Sequence, residues 1–195
     1  MKLLSDQVDE REIKVVLREL GKTKDLAGDV VEFGCFVGTT SVFMAKKMEE
    51  WGREKALWLY DSFEGLPEKS RQDENSLGVD FKKGELLATK KQLVANLRKS
   101  GVKKLPKITK GWFSELKPEQ VPARISFAFL DGDYYHSILD PLELIWQKLE
   151  SGAIVVVDDY GNHALPGASQ AVDEWCKKYN IPKKVEATLA IFQKP

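Results

Sequence analysis

The sequence predicts an α/β fold built as a doubly wound, mostly parallel sheet with an antiparallel terminal strand. Three observations predict it. Short runs rich in β-branched and aromatic residues alternate with amphipathic helical stretches from one end of the chain to the other. The run Ile125-Ser126-Phe127-Ala128-Phe129-Leu130 is almost continuously apolar, as expected of a central strand covered on both faces. The tail from Val185 to Gln193 has no intervening helical stretch, so it must close the sheet as a hairpin or as short terminal strands with an antiparallel partner.

The elements follow in order. Residues 1–27 form an N-terminal helical segment, in which Ser5 to Leu20 places Val8, Ile13, Val16, Leu17 and Leu20 near helical spacing, with Gly21 as the expected stop. The first strand, Asp29 to Phe33, turns at Gly34 into a helix that starts at Thr39 or Thr40 and runs to Trp51. A second strand from Ala56 to Tyr60 ends at Asp61, and the polar stretch Glu68 to Lys83 reads as a long loop, a feature that compact domains usually keep for function. A helix from Leu86 to Lys99 leads to a strand from Leu105 to Thr109. After the central strand come a helix through Leu142, Ile145, Trp146 and Leu149, a strand from Ala153 to Val157, and a helix from Gly167 to Tyr179.

The 195 residues suit one domain spanning 1–195, with roughly 70% of its unfolded surface buried around a single core. Thirty basic residues balance thirty acidic ones and are interspersed with them, so neither nucleic acid nor an anionic membrane is expected as a partner. Cys35 and Cys176 have no paired spacing that suggests zinc or a disulfide framework. The N-terminus turns polar at once and no segment approaches ~18 uninterrupted apolar residues. A cytoplasmic location is therefore the expectation, with homo-oligomerisation left open.

Open α/β sheets bind ligands beyond the carboxyl ends of their strands, and here four of those ends are acidic: Glu32, Asp61, Asp131 with Asp133, and Asp158 with Asp159. The turn from Glu32 to Ser41 carries Gly34, Gly38, Thr39 and Thr40 at the start of a helix, which allows close backbone approach to a ligand. It is not GxGxxG. Phe36 stands where a pyrophosphate would need glycine, which suits a ligand without phosphate, such as a sulfonium amino acid joined to adenosine. Asp61 is placed where a carboxylate can accept from both ribose hydroxyls. The aspartates suit a hard cation such as Mg²⁺, which takes oxygen ligands and keeps several waters. Strand periodicity would point Asp158 and Asp159 to opposite faces, so both reach one ion only if the chain has left β geometry by then. His136 and His163 each follow an acidic strand end; solvated positions and acid-base work both remain open for them.

Together these segments resemble the macrocin O-methyltransferase family of cation-dependent, class I, Rossmann-like methyltransferases with a seven-stranded type of sheet. The resemblance runs through Gly28-Asp29-Val30-Val31-Glu32-Phe33-Gly34, Asp61-Ser62-Phe63-Glu64-Gly65-Leu66-Pro67, Gly111-Trp112-Phe113, Asp131-Gly132-Asp133-Tyr134-Tyr135-His136-Ser137 and Val157-Asp158-Asp159-Tyr160-Gly161. It implies S-adenosylmethionine as cofactor, with Glu32, Gly34 and Thr40 along its methionine portion and Asp61 on its ribose. Ser62, Phe63, Trp112 and Phe113 would frame the adenine side, and Phe36 is similar to the tyrosine in the comparable turn of catechol-type O-methyltransferases. It implies further that Asp131, Asp158 and Asp159 ligate a divalent cation and that Asp131, beside the cofactor, takes the proton of a small-molecule hydroxyl, that of a sugar or natural product. The rival readings are a metal-independent methyltransferase with Asp133 or His136 as base, and a catalytically silent cofactor-binding domain.

Overall fold

The computed structural model describes residues 3–52, 54–78 and 81–195. Val79 and Asp80, inside the predicted Glu68 to Lys83 loop, lie outside them, as do Met1 and Lys2 of the predicted N-terminal segment. The strands are β1 (Asp29–Phe33), β2 (Leu57–Asp61), β3 (Lys107–Lys110), β4 (Ile125–Leu130), β5 (Leu149–Val157), β6 (Lys183–Glu186) and β7 (Leu189–Gln193). The helices are α1 (Glu10–Lys22), α2 (Thr39–Glu49), α3 (Lys90–Lys99), α4 (Tyr135–Ile145) and α5 (Pro166–Tyr179). The seven strands form one sheet in the order β3-β2-β1-β4-β5-β7-β6. β1 to β5 pair in parallel, and β7 joins β5 and β6 antiparallel, as the helix-free tail predicts.

Every residue of β4 is buried. Its alternate side chains enter two cores, one with Leu142 of α4 and Val172 of α5, the other with Val16 of α1, Met44 of α2 and Leu97 of α3. This double coverage explains the unbroken apolar run. The order reverses between β1 and β4, and their carboxyl ends meet there: Asp131 N donates to Phe33 O at 2.8 Å, while Gly34 N donates to Tyr60 O of β2 at 2.9 Å. Among the described residues no helix is long and apolar enough to cross a membrane.

Several boundaries differ from the expectation for local reasons. α1 starts at Glu10, not Ser5, because Asp9 and Glu12 form a capping box: the Asp9 carboxylate accepts from Arg11 N and Glu12 N, and Glu12 accepts from Asp9 N. Gly21 sits inside that helix and does not end it. α2 stops at Glu49, short of Trp51. α3 starts only at Lys90, capped by the Thr89 hydroxyl, since Leu86 at φ +55° cannot continue a helix. β2 and β3 begin at Leu57 and Lys107, inside the predicted Ala56 and Leu105. Leu149 opens β5 and does not extend the preceding helix. The pairing steps from Ile125 opposite Leu149 to Phe127 opposite Ile154, with Gly152 at φ +86° in the irregular part, so a bulge hides the first half of the strand from period-two patterning. α5 starts one residue early, at Pro166, and β6 takes the hairpin back to Lys183.

A Cβ on Gly34, at φ +86°, would lie 1.7 Å from the carbonyl oxygen of Asp131. Gly34→Ala is therefore expected to lose at least ~3 kcal/mol in denaturant unfolding. Gly21, in helix and with no atom within 4 Å of such a Cβ, should instead gain about 0.5–1 kcal/mol as Gly21→Ala.

Candidate active site

The site is assembled at the β1/β4 reversal from turns that are each short. Asp61, the last residue of β2, binds two of them together. Its Oδ2 accepts from Cys35 N (2.8 Å) and Phe36 N (3.1 Å) of the β1–α2 turn, and its Oδ1 accepts from Phe63 N (2.7 Å) of its own turn. Ser62 braces the second turn, accepting from Glu64 N at 3.0 Å and donating to Gly65 O at 3.2 Å. Gly38 enters α2 at φ +90° with no side-chain cap, so no side-chain acceptor from its own N-cap residue occupies the first amides of that helix.

These turns surround a cavity of about 390 Å³, within the range of small-molecule and cofactor sites. Gly34, Phe36, Asp61, Ser62, Trp112, Phe113, Asp131 and Asp159 all stand in its wall. The other four predicted site residues do not: Glu32, Thr40, Phe63 and Asp158 are buried behind it. Phe113 packs edge-on against Phe33, with ring centroids 5.4 Å apart, which locks the aromatic wall to the end of β1.

Glu32 is a buried acid in a hydrogen bond. The Ser41 hydroxyl donates to its Oε2 at 2.5 Å. Burial pushes its carboxyl up to about 8, the Ser41 bond works against that rise, and the charge of Asp61 adds to it.

At the other side of the reversal four aspartates crowd together. Asp131 is raised well above the usual carboxylate range by burial first, then by Asp158, Asp133, Asp159 and Glu32. Asp133 is raised by burial and by Asp159 and Asp61. Burial and acidic neighbours also raise Asp158 and Asp159, against hydrogen bonds from Asp159 N and Asn162 respectively. Among the described residues none of these four makes a salt bridge, and no three His, Cys, Asp or Glu side chains converge as a ready-made metal site.

The doublet after β5 separates. β5 ends at Val157 and Asp159 sits at φ +57°, so the chain has left β geometry there. Asp159 faces the cavity with Asn162 Nδ2 donating to its Oδ1 at 2.9 Å. Asp158 lies behind, accepting from Asp159 N at 2.8 Å and 3.3 Å from the Thr188 hydroxyl, which donates to Glu12 of α1. Left-handed backbone at non-glycine residues concentrates here: Phe36, Leu86, Asp133 and Asp159 line the cavity and Phe63 adjoins it. Such conformations cost of order 1–3 kcal/mol each and persist where the surrounding structure enforces them.

Residues that sequence reasoning did not single out complete the wall. Asp6 and Gln7 reach it from the N-terminal segment, and Ser70, Asp73 and Phe81 from the long loop. Ser137 and Asp140 come with His136 from α4. His136 is exposed, with Nδ1 3.6 Å from the Asp140 carboxylate one turn on. The i,i+4 spacing was the available signal for that pair; Asp6 and Gln7 had none, since their approach depends on the path of the chain into α1.

A sheet in this order with its last strand reversed, and a crevice at the reversal, is the fold of the class I methyltransferases. The solved O-methyltransferase NovP shares it at a TM-score of 0.77 and 22% identity, over 94% of this chain and 79% of that one. The chain belongs to the macrocin O-methyltransferase family: the family model, Macrocin-O-methyltransferase (TylF), matches residues 11–192. It is 32% identical over 163 residues to 8-demethyl-8-(2,3-dimethoxy-alpha-L-rhamnosyl)-tetracenomycin-C 4'-O-methyltransferase of Streptomyces olivaceus, covering 79% of this chain and 60% of that protein. It is 28% identical to demethyldecarbamoylnovobiocin O-methyltransferase of Streptomyces niveus, covering 80% and 61% respectively. The chain thus spans about three fifths of the length of these relatives.

Two outcomes are expected. Asp61→Ala strands three backbone amides at the meeting of two turns, and should cost about 3 kcal/mol in urea unfolding. Glu32 holds its proton more tightly when folded, so its contribution to stability is intact below about 4.5 and is lost as pH rises toward about 8. Glu32→Gln, which keeps an acceptor for Ser41, should melt progressively higher than wild type as pH is raised from 5 to about 8. A gap in melting temperature that is constant across that window would contradict the assignment.

Proposed function

We propose that the chain transfers the methyl group of S-adenosylmethionine to a hydroxyl of a small molecule, a sugar or a sugar-bearing natural product. The observation that carries this reading is one cavity joining the Gly34–Phe36 turn, Asp61 and the Trp112–Phe113 wall to a floor of aspartates. Family membership and relatives that are named O-methyltransferases support it. The cofactor's amino acid portion would lie along the Gly34 turn with Glu32 and Thr40 behind, and its ribose beside Asp61. Ser62 and the aromatic pair Trp112 and Phe113, with Phe63 behind, would frame adenine. Asp61 already accepts three amides, so a ribose hydroxyl would share its remaining lone pairs. Phe36 in the wall replaces the glycine that a pyrophosphate would require, which favours a cofactor without phosphate.

In the reaction the acceptor oxygen attacks the methyl carbon, the sulfur–carbon bond breaks, and the cofactor leaves as a neutral thioether. Asp131, within the cavity and raised by burial first and then by its acidic neighbours, takes the hydroxyl proton. A carboxylate raised toward the working pH is a better base than one at its ordinary value. The walls hold the acceptor in line with the sulfonium, which contributes through orientation.

A divalent cation belongs to this reading through the chemistry of its donors. Asp131 and Asp159 present carboxylates to the cavity, Asp158 stands behind Asp159, and no basic side chain balances them among the described residues. Mg²⁺ needs only one or two carboxylates and keeps several waters, so these residues suit it without three converging side chains. When bound it would lower the pKa of the acceptor hydroxyl. Among the described residues no three such ligands converge, which favours the second reading, metal-independent transfer with Asp133 or His136 as base.

Transfer of labelled methyl groups from S-adenosylmethionine to methyl α-L-rhamnoside and a panel of glycosides, before and after exhaustive chelation, separates the two. The cation reading predicts loss of at least ~100-fold on chelation with recovery by Mg²⁺, and a similar loss in Asp131→Asn. Full turnover in chelator removes the cation, and full turnover in Asp131→Asn removes the base.

A further inference from the structure

The described residues of the predicted long loop form a strap along one side of the cavity, and a single buried carboxylate in it holds three elements at once. Its base is closed by backbone bonds, Gly84 N to Leu66 O (2.9 Å) and Leu66 N to Glu85 O (2.8 Å). At its middle Asp73, only 2% exposed, accepts from Ser70 N (2.9 Å) and Ser70 Oγ (2.5 Å) through one oxygen. Its other oxygen accepts from Tyr135 N at 2.7 Å, 62 residues away in the first turn of α4. That helix has no side-chain cap from its own N-cap residue Tyr134, so Asp73 supplies the missing acceptor and a negative charge where the helix dipole favours one. The same oxygen rests against Gly167 in the first turn of α5, where an added Cβ would lie 1.8 Å from it. Asn75 Nδ2 donates to Ala164 O at 3.0 Å and Tyr134 OH to Phe81 O at 3.1 Å, so the strap is also held on either side of Asp73.

We infer that Asp73 is a positioning residue for the acceptor subsite. It fixes the strap residues Glu68, Ser70 and Phe81 against the cavity and orients the first turn of α4, which carries His136 and Ser137 into the same wall. The cofactor half, made of the Gly34 turn, Asp61 and Trp112, touches neither Asp73 nor its partners in any of these bonds. Removal of Asp73 therefore loosens acceptor binding and leaves cofactor binding in place. This inference rests on the acceptor reading given above, but its structural half does not.

The test uses the full chain with Asp73→Ala, Asp73→Asn and, as a milder change, Asn75→Ala. Hydrogen exchange is read on residues 68–78 and on the 32–40 turn, S-adenosylhomocysteine binding by calorimetry, and turnover with methyl α-L-rhamnoside. In Asp73→Ala the strap amides should exchange about tenfold faster or more while the 32–40 turn is unchanged, since the loss of a charged acceptor releases a local unit. S-adenosylhomocysteine affinity should stay within about twofold of wild type, and KM for the rhamnoside should rise about tenfold with little change in kcat. Asp73→Asn, which keeps an oxygen for Tyr135 N, should recover much of the difference. If Asp73→Ala does not fold, the strap in Asn75→Ala should still exchange faster with cofactor affinity unchanged. Unaltered strap exchange, or cofactor affinity falling in step with the rise in KM, overturns the inference. Wild-type protein that binds no S-adenosylhomocysteine overturns the functional reading instead, and the exchange measurement still decides the role of Asp73 in the strap.

Discussion

The close approach of two backbones at Gly34 and Asp131 is the constraint on which the site depends. A parallel sheet that reverses its order leaves a crevice between the two strands that diverge in connection, here β1 and β4. With no side chain at Gly34, the carbonyl of Asp131 can sit where a Cβ would otherwise be. That contact sets the glycine turn beside the first acid of the floor. Asp61 then fastens the neighbouring turn to it through three amides, and Phe113 closes the far wall against Phe33. The geometry of the cavity follows from backbone contacts more than from its exposed side chains.

The electrostatics of the site follow from the same packing. Bringing the ends of β1, β2, β4 and β5 together places acids from all four near one another, and burial leaves water little access to screen them. The result is a set of raised carboxyls, from Glu32 behind the glycine turn to Asp131 and Asp133 at the floor. Their mutual repulsion is an unfavourable term for the fold, held in place by the strands that carry them. The transfer proposed above, from a sulfonium cofactor with a carboxylate as base, would make use of this concentration of negative charge.

Much of this was legible in the chain because it is local. The residue following an apolar run is at a strand end whatever the tertiary structure, so Asp61, Asp131 and Asp159 could be placed at the crevice from spacing alone. What the chain did not show was direction and distance. Asp158 and Asp159 part company even though the chain has left β geometry at the left-handed Asp159, and Glu32 points away from the cavity toward Ser41. The first half of β5 was hidden by its bulge, and the start of α1 by a capping box that begins the helix later than its apolar spacing suggests. Asp73 was the hardest to see. Its Ser70-x-x-Asp73 spacing marks a tight turn, but its partner Tyr135 lies 62 residues on and Gly167 further still, so only the folded chain reveals that one carboxylate joins them.

Calorimetric titration of the purified chain with S-adenosylhomocysteine and, separately, with NAD tests the central claim most directly, because it asks only what the cavity binds. The account predicts saturable one-site binding of S-adenosylhomocysteine and no comparable heat with NAD. Binding of NAD in preference, or no binding of S-adenosylhomocysteine by folded protein, would contradict it.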